Sequence, residues 1–214
     1  MFEIATSNQD AVRRVQERLQ NDVGFFVNQC IQQRQAPFWA LARTMFPIAE
    51  SLAYLLYGDN PRGTAARLSR FIREELGSSN PNYIPLASII CQVWRHGLTH
   101  GDEPPFLVVG AITDATGARD FSSAKAMSWK LAFGAQNQHL QVQALNPQTS
   151  QFTFCLTTFF ADLQLVTADT GRWSGFPSDE VKDRYNKWCS KFVDDPGQSA
   201  ESQLAGDEIR ALMP

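Results

Sequence analysis

The sequence predicts a mainly α fold in one domain spanning residues 1–214: a helical bundle interrupted by a small antiparallel β-sheet at about residues 105–150. Three observations predict it. Apolar residues recur at steps of three and four through the first hundred residues. The pattern then switches to short β-branched and alternating runs. Helical spacing returns after about residue 155. The bundle is accordingly expected over about 8–104 and 155–193, with a further C-terminal helix over about 199–212.

Each element has its own signal. From Gln9 to Gln33, Val12, Val15, Leu19, Val23, Phe26, Val27, Cys30 and Ile31 form one apolar stripe, and Asn8 is placed to cap its start. Pro37 opens a second helix through Tyr57, ended by Gly58-Asp59-Asn60-Pro61, with Pro47 expected to bend it. A third helix runs from Gly63 to Leu76 and stops at Gly77. A fourth begins near Pro85 and runs to His100, with Gly101 as its C′ residue and Pro104-Pro105 blocking continuation. Phe106 to Ile112 reads as a strand. Ala126–Phe133 and His139–Leu145 alternate around Gly134-Ala135-Gln136-Asn137-Gln138, which signals a hairpin. A strand at Gln151–Cys155 gives way to a helix over much of Thr157 to Ala168. Helices follow at about 178–193 and 200–212.

Composition excludes several classes. Hydrophobic residues make up 43% of the chain, with 5 Trp and 15 Phe, which argues for a packed core and against disorder. A formal net charge of −3 and a pI of about 5.6 disfavour a strong nonspecific nucleic-acid binder but leave room for a local basic site. No run approaches the length of a membrane span, and Met1 to Asp10 lacks a secretory pattern. Cys30, Cys91, Cys155 and Cys189 are far apart and form no C-x-x-C pair, so no metal or other cofactor is expected. They read as buried, reduced thiols of a cytoplasmic protein.

Chemistry concentrates in Trp94-Arg95-His96-Gly97-Leu98-Thr99-His100-Gly101-Asp102-Glu103, which holds two of the three histidines. Arg95 can fork onto a phosphate. His100, in the last turn of its helix, is biased toward the imidazolium by the helix dipole and can act as acid or base. His96 and His100 share a helical face. Arg95 and His100 are about 140° apart round an ideal helix, so they converge only if the last turn tightens or the arginine reaches across. Together they suit cleavage of RNA by its own 2′-hydroxyl without a metal. The same residues also fit a structural reading, with Arg95 paired to a buried acid such as Glu50 and His100 bonded to carbonyls.

The run R-H-G-L-T-H, with a polar residue after the arginine, resembles the R-x-x-x-x-H signature of the HEPN superfamily (higher eukaryote and prokaryote nucleotide-binding domain). The order of helices over about 8–170 is similar too. The resemblance implies a four- to five-helix bundle, frequent homodimers and, in many members, metal-independent endoribonuclease activity in bacterial toxin or defence systems. Other members are non-catalytic binding or scaffold modules. By position, Arg95 and His100 would be the catalytic pair and His96 the supporting polar residue. One toxin subgroup continues R-x-x-x-x-H-x-Y; here Asp102 stands at the tyrosine position, so control through that tyrosine is not expected. Asp102 and Glu103 also place negative charge near any bound phosphate.

Weaker candidates complete the set. Glu50 lies among Ile48, Leu52 and Leu55, either as a half-exposed surface residue or as a partner that orients Arg95. Arg67, Arg70 and Arg73 form a three-spaced basic stripe, either a solvated face or a contact for a phosphate backbone. Trp39 and Trp94 read as core, and His139 as a surface or hairpin residue. No Walker loop, G-x-G-x-x-G, H-E-x-x-H or G-x-S-x-G occurs, which removes several enzyme classes. The expected partners are RNA and a second copy of the chain. Two functions stay open at this point: an RNA-cleaving or RNA-binding protein, and an interaction module without catalysis.

Overall fold

The first helical stripe buries as its spacing demands, but only in part. The structure is a computed structural model describing residues 4–33, 38–92, 107–134, 136–177, 179–190 and 210–212. Helix α1 (Asn8–Arg18), a π-helical turn (Leu19–Gly24) and α2 (Phe25–Gln33) run end to end. Ala11, Val12, Val15, Leu19, Val23, Val27 and Cys30 are buried, whereas Phe26 and Ile31 are 48% and 56% exposed. The π turn accommodates an extra residue, which rotates the stripe and turns those two side chains outward. The cap is Ser7, not Asn8: Ser7 Oγ accepts the Asp10 N–H at 3.0 Å. Asn8 instead accepts the Lys182 N–H at 2.8 Å, which ties α1 to a helix near the other end of the chain.

Helix α3 (Phe38–Tyr57) contains Pro47, whose ring faces solvent. Its C-terminus ends at Gly58, where φ is +66°, a conformation that glycine adopts without steric cost. Two guanidinium groups close that end. Arg184 donates to the carbonyls of Leu55 and Leu56 at 2.7 and 2.9 Å, and Arg67 donates to that of Gly58 at 3.1 Å. Positive charge at a helix C-terminus satisfies its carbonyls and opposes its dipole. Helix α4 (Gly63–Phe71) continues through a π turn (Ile72–Leu76) into a short α5 (Gly77–Ser79), so Gly77 is not the expected stop. A Cβ there would lie 2.9 Å from Ile84 Cγ1; the glycine lets α6 (Tyr83–Ile90) approach closely.

The sheet departs most from expectation. Strands β1 (Leu107–Val109), β4 (Lys125–Ala132), β5 (Val142–Asn146) and β6 (Thr149–Cys155) form a four-stranded sheet in the order β1-β4-β6-β5. Strands β2 (Ile112–Thr113) and β3 (Arg119–Asp120) form a separate two-stranded ribbon. The expected hairpin between 126–133 and 139–145 does not form. Strand β4 pairs with β6 in parallel, and β5 pairs with the other edge of β6 antiparallel. The sheet is therefore mixed rather than antiparallel, and it extends to Cys155. Within the segment read as a tight turn, Gln136–Gln138 form a 3-10 turn instead, and β5 lies on the far side of β6 from β4. The tight connection is Asn146-Pro147-Gln148, between β5 and β6.

Sheet and helices share one core. Phe152 and Phe154 on β6 are fully buried. Phe154 stacks on Phe46 of α3 at 6.0 Å and meets Phe159 at 5.1 Å, and Phe159 meets Phe46 at 5.2 Å. Phe159 belongs to α7 (Leu156–Ala168), followed by α8 (Thr170–Ser174) and α9 (Glu180–Cys189). The fold is thus mainly helical with a small sheet. Of the C-terminal helix expected at 199–212, Arg210, Ala211 and Leu212 are described, and they are helical. Cys30, Cys91 and Cys155 are buried as free thiols, but Cys189 is exposed. No helix among the described residues is long and apolar enough to cross a membrane.

Candidate functional site

Helix α6 carries the chain toward the R-x-x-x-x-H segment, and polar clusters lie at both of its ends. Tyr83, Leu86, Ala87, Ile90 and Cys91 bury one side of it, against the π turn after α4. The helical backbone continues through Gln92. Arg95, His96 and His100 lie outside the described residues, as does Trp94.

Beside the C-terminal end of α6 lies an open groove of about 540 Å³, lined by Arg62, Ser69, Arg70, Arg73, Ser88 and Gln92 among others. Arg62 precedes helix α4, α4 supplies Arg70, its π turn supplies Arg73, and α6 supplies the facing wall. Arg73 Nη2 donates to Ser88 Oγ at 3.4 Å, and Ser88 Oγ lies 3.3 Å from Ser69 Oγ. Both distances are long for hydrogen bonds, so these groups can turn to another acceptor. Arg70 pairs with Glu74 at 2.9 Å and lies over the Tyr57 ring at 4.1 Å. Glu74 cancels one of the three charges, leaving the groove moderately cationic.

The basic stripe expected from Arg67, Arg70 and Arg73 is divided. Arg70 and Arg73 face the groove, whereas Arg67 is 5% exposed. Arg67 reaches inward to the Gly58 carbonyl and lies over the Tyr54 ring at 4.9 Å. It closes α3 instead of meeting solvent, and Arg62 takes the third place in the groove. The three-residue spacing could not reveal this, because a long side chain at the edge of a helical face can turn either way. Glu50 is half-buried on α3.

At the N-terminal end of α6 lies a cluster that the sequence reading missed. His139, expected at the surface, is 3% exposed. Its Nδ1 accepts the Cys155 backbone N–H at 2.9 Å. The ring proton therefore sits on Nε2, which faces Tyr83 Oη at 2.7 Å. Tyr83 Oη in turn donates to Asp162 Oδ2 at 2.8 Å. The result is a one-way hydrogen-bond chain joining the sheet, α6 and α7. Burial holds the His139 ring down to a pKa of about 4 and raises those of Asp162 and Tyr83, the latter also through the nearby carboxylate. Asp162 had a signal: it interrupts Phe159-Phe160-Ala161-Asp162-Leu163, three residues after one buried side chain and four before another, Val166. A carboxylate on the apolar stripe of a helix demands an internal donor.

Among the described residues no group of three or more His, Cys, Asp and Glu side chains could hold a metal ion. No protein-family model, curated protein or solved structure gives a significant match to this chain.

Proposed function

We propose that this chain is an HEPN-like RNA-binding protein that seats a phosphate backbone in the groove between α4 and α6 and cleaves it at Arg95 and His100 without a metal. The observation that carries the proposal is the groove itself: Arg62, Arg70 and Arg73 line it beside Gln92, three residues before Arg95. Phosphate contacts would hold the strand in register and leave its bases unread. His100 takes the proton of a 2′-hydroxyl, and that oxygen attacks the adjacent phosphorus. Arg95 balances the added charge on the phosphoryl oxygens. The 5′-oxygen leaves with a proton returned by an imidazolium, for which His96 is the second histidine of the same sequence segment. The products are a 2′,3′-cyclic phosphate and a free 5′-hydroxyl. A bacterial toxin or defence role is part of this reading.

The test is incubation of the purified chain with a mixed-sequence single-stranded RNA in excess EDTA. Cleavage with cyclic-phosphate ends is expected, lost in His100→Ala and Arg95→Ala. Chelator-sensitive cleavage, or cleavage unchanged in both variants, overturns the catalytic reading.

A second reading, an interaction module without catalysis, is favoured by a different observation. Phe25 and Phe26 at the start of α2 are 57% and 48% exposed, with ring centroids 5.9 Å apart. Large apolar side chains held close together at a surface suit a protein contact. RNA binding without cleavage supports a binding module; neither binding nor cleavage leaves the apolar face of α2 as the functional surface.

A further inference from the structure

We propose that the turn carrying Gln136 to Gln141 is an acid-released latch: protonation of His139 breaks its bond to β6 and frees this turn and strand β5 from β6, while β6 and the helices keep their shared core. The inference is independent of what the groove binds.

The latch is built from two independent features. The first is the polarity of the hydrogen-bond chain. Each ring nitrogen of His139 has one partner, and each partner dictates which nitrogen carries hydrogen. Cys155 N–H donates into Nδ1, so a proton added there would place two donors 2.9 Å apart with no acceptor between them. The ring can then keep its bond to Tyr83 or its place beside Cys155, but not both. The second is strain. Leu140, next in sequence, has φ of +61° and is the only non-glycine among the described residues with a positive φ. A leucine stays in this region only where its surroundings hold it. Here the Leu140 N–H donates to the Thr153 carbonyl at 2.7 Å, and its side chain is 3% exposed in the core. The segment is therefore held against its own backbone preference by contacts that include the His139 bonds.

The other titratable groups around the ring respond differently. Those facing it among the described residues are Tyr83 from α6, Asp162 from α7 and the thiol of Cys155 at the end of β6. Asp162 can take a proton on Oδ1 and still accept from Tyr83 at Oδ2, so its protonation leaves the chain intact. Burial raises the pKa of Tyr83, so it stays neutral in acid. Cys155 Sγ lies 3.1 Å from Thr157 Oγ1 and carries no charge in acid. His139 is left as the trigger. Its folded pKa is lowered, so the opened turn binds the proton more readily than the closed one. Closure is fully favoured above the ordinary histidine range and weakens as pH falls from about 6.5 toward about 4.

The test is amide hydrogen exchange read by mass spectrometry at pH 7 and pH 5, corrected for intrinsic exchange rates. Protection of 136–142 and of the β5–β6 pairing is expected to fall by up to about tenfold per pH unit within the window, with α3 unchanged. In His139→Gln, which cannot protonate there, that pH dependence is expected to vanish. If the variant does not fold, the ring carbon resonances of His139 in the unaltered chain are followed by NMR, and their titration is expected to track the loss of protection. Protection unchanged across the window overturns the latch, as does uniform loss from sheet and helices, ring titration without opening, or the same pH dependence in His139→Gln.

Discussion

The two ends of α6 carry polar clusters of similar chemistry in opposite surroundings. At Tyr83 the hydrogen bonds run unbroken from the Cys155 N–H through His139 and Tyr83 to Asp162 Oδ2, and the cluster lies inside the core. At Ser88 and Gln92 the groups are exposed, their mutual bonds are long, and cationic charge is in excess. A buried polar group contributes stability only while it is paired and costs heavily when it is not. An exposed one contributes little to folding and remains free to bind. One short helix thus connects a buried structural cluster with an open, polar groove. The difference between them lies in burial, since hydroxyls and charged groups occur at both ends.

The sharpest contrast within the core itself is apolar. Phe154→Ala is expected to destabilise the fold by about 3–5 kcal/mol, because it removes a fully buried ring packed on Phe46, Phe159 and His139 and leaves a cavity where sheet meets bundle. Chemical denaturation measures it. A cost below about 1 kcal/mol would mean that the sheet does not share the core of the helices.

As pH falls below neutral, acid should act on the buried cluster before it reaches the surface carboxylates whose folded pKa values are lowered. His139 has its folded pKa depressed to about 4, below the ordinary value of about 6.5. The unfolded state therefore binds more protons between those values, and stability falls as pH drops through that window. The slope is at most about 1.4 kcal/mol per pH unit. Asp162 has a raised pKa, so the folded state takes its proton first and offsets part of the loss at the lower end. Thermal unfolding of the parent chain against His139→Gln isolates the histidine contribution; parallel profiles would remove His139 from the account.

Paired substitutions on α6 sharpen the comparison further. Tyr83→Phe strands the His139 Nε2–H and the Asp162 carboxylate in the core and is expected to cost about 1–3 kcal/mol. Ser88→Ala, five residues along the same helix, should change stability by less than about 0.5 kcal/mol. Equal effects in denaturant titrations would erase the distinction between the two ends.

The helices were legible because their signal is local. The spacing of Val12, Val15 and Leu19, or of Leu52 and Leu55, is set by the helix repeat and needs no knowledge of the partner. Where a local irregularity intervened, as at the π turn after Arg18, the same reading placed Phe26 and Ile31 on the wrong side. Pairing of strands is not local. Alternation located β4 and nearly located β5, but nothing in either run says that both pair with β6. His139 was misplaced for the same reason: its partners, Cys155 and Tyr83, lie 16 and 56 residues away in sequence. Of the groove, Arg70 and Arg73 were legible from their spacing. Arg62 was not, because it precedes the helix, and the inward turn of Arg67 depends on the end of another helix.

The smallest expected effect tests the open end most directly. Arg73 is exposed and held by one long bond to Ser88, so Arg73→Gln should leave the denaturation midpoint unchanged. If the groove seats a single-stranded phosphate backbone, removing one cation releases fewer counterions on binding. The slope of log affinity against log salt should then become shallower by about 0.7. The loss should be similar for RNAs of different sequence, because a guanidinium on a phosphate reads no base. Arg67→Gln is the counterpart. It removes a buried cap from α3, so it should lower stability while leaving the salt slope of the folded protein as it was. If instead Arg67→Gln changes the slope and Arg73→Gln does not, the strand lies near the end of α3, and the groove beside α6 is not its seat.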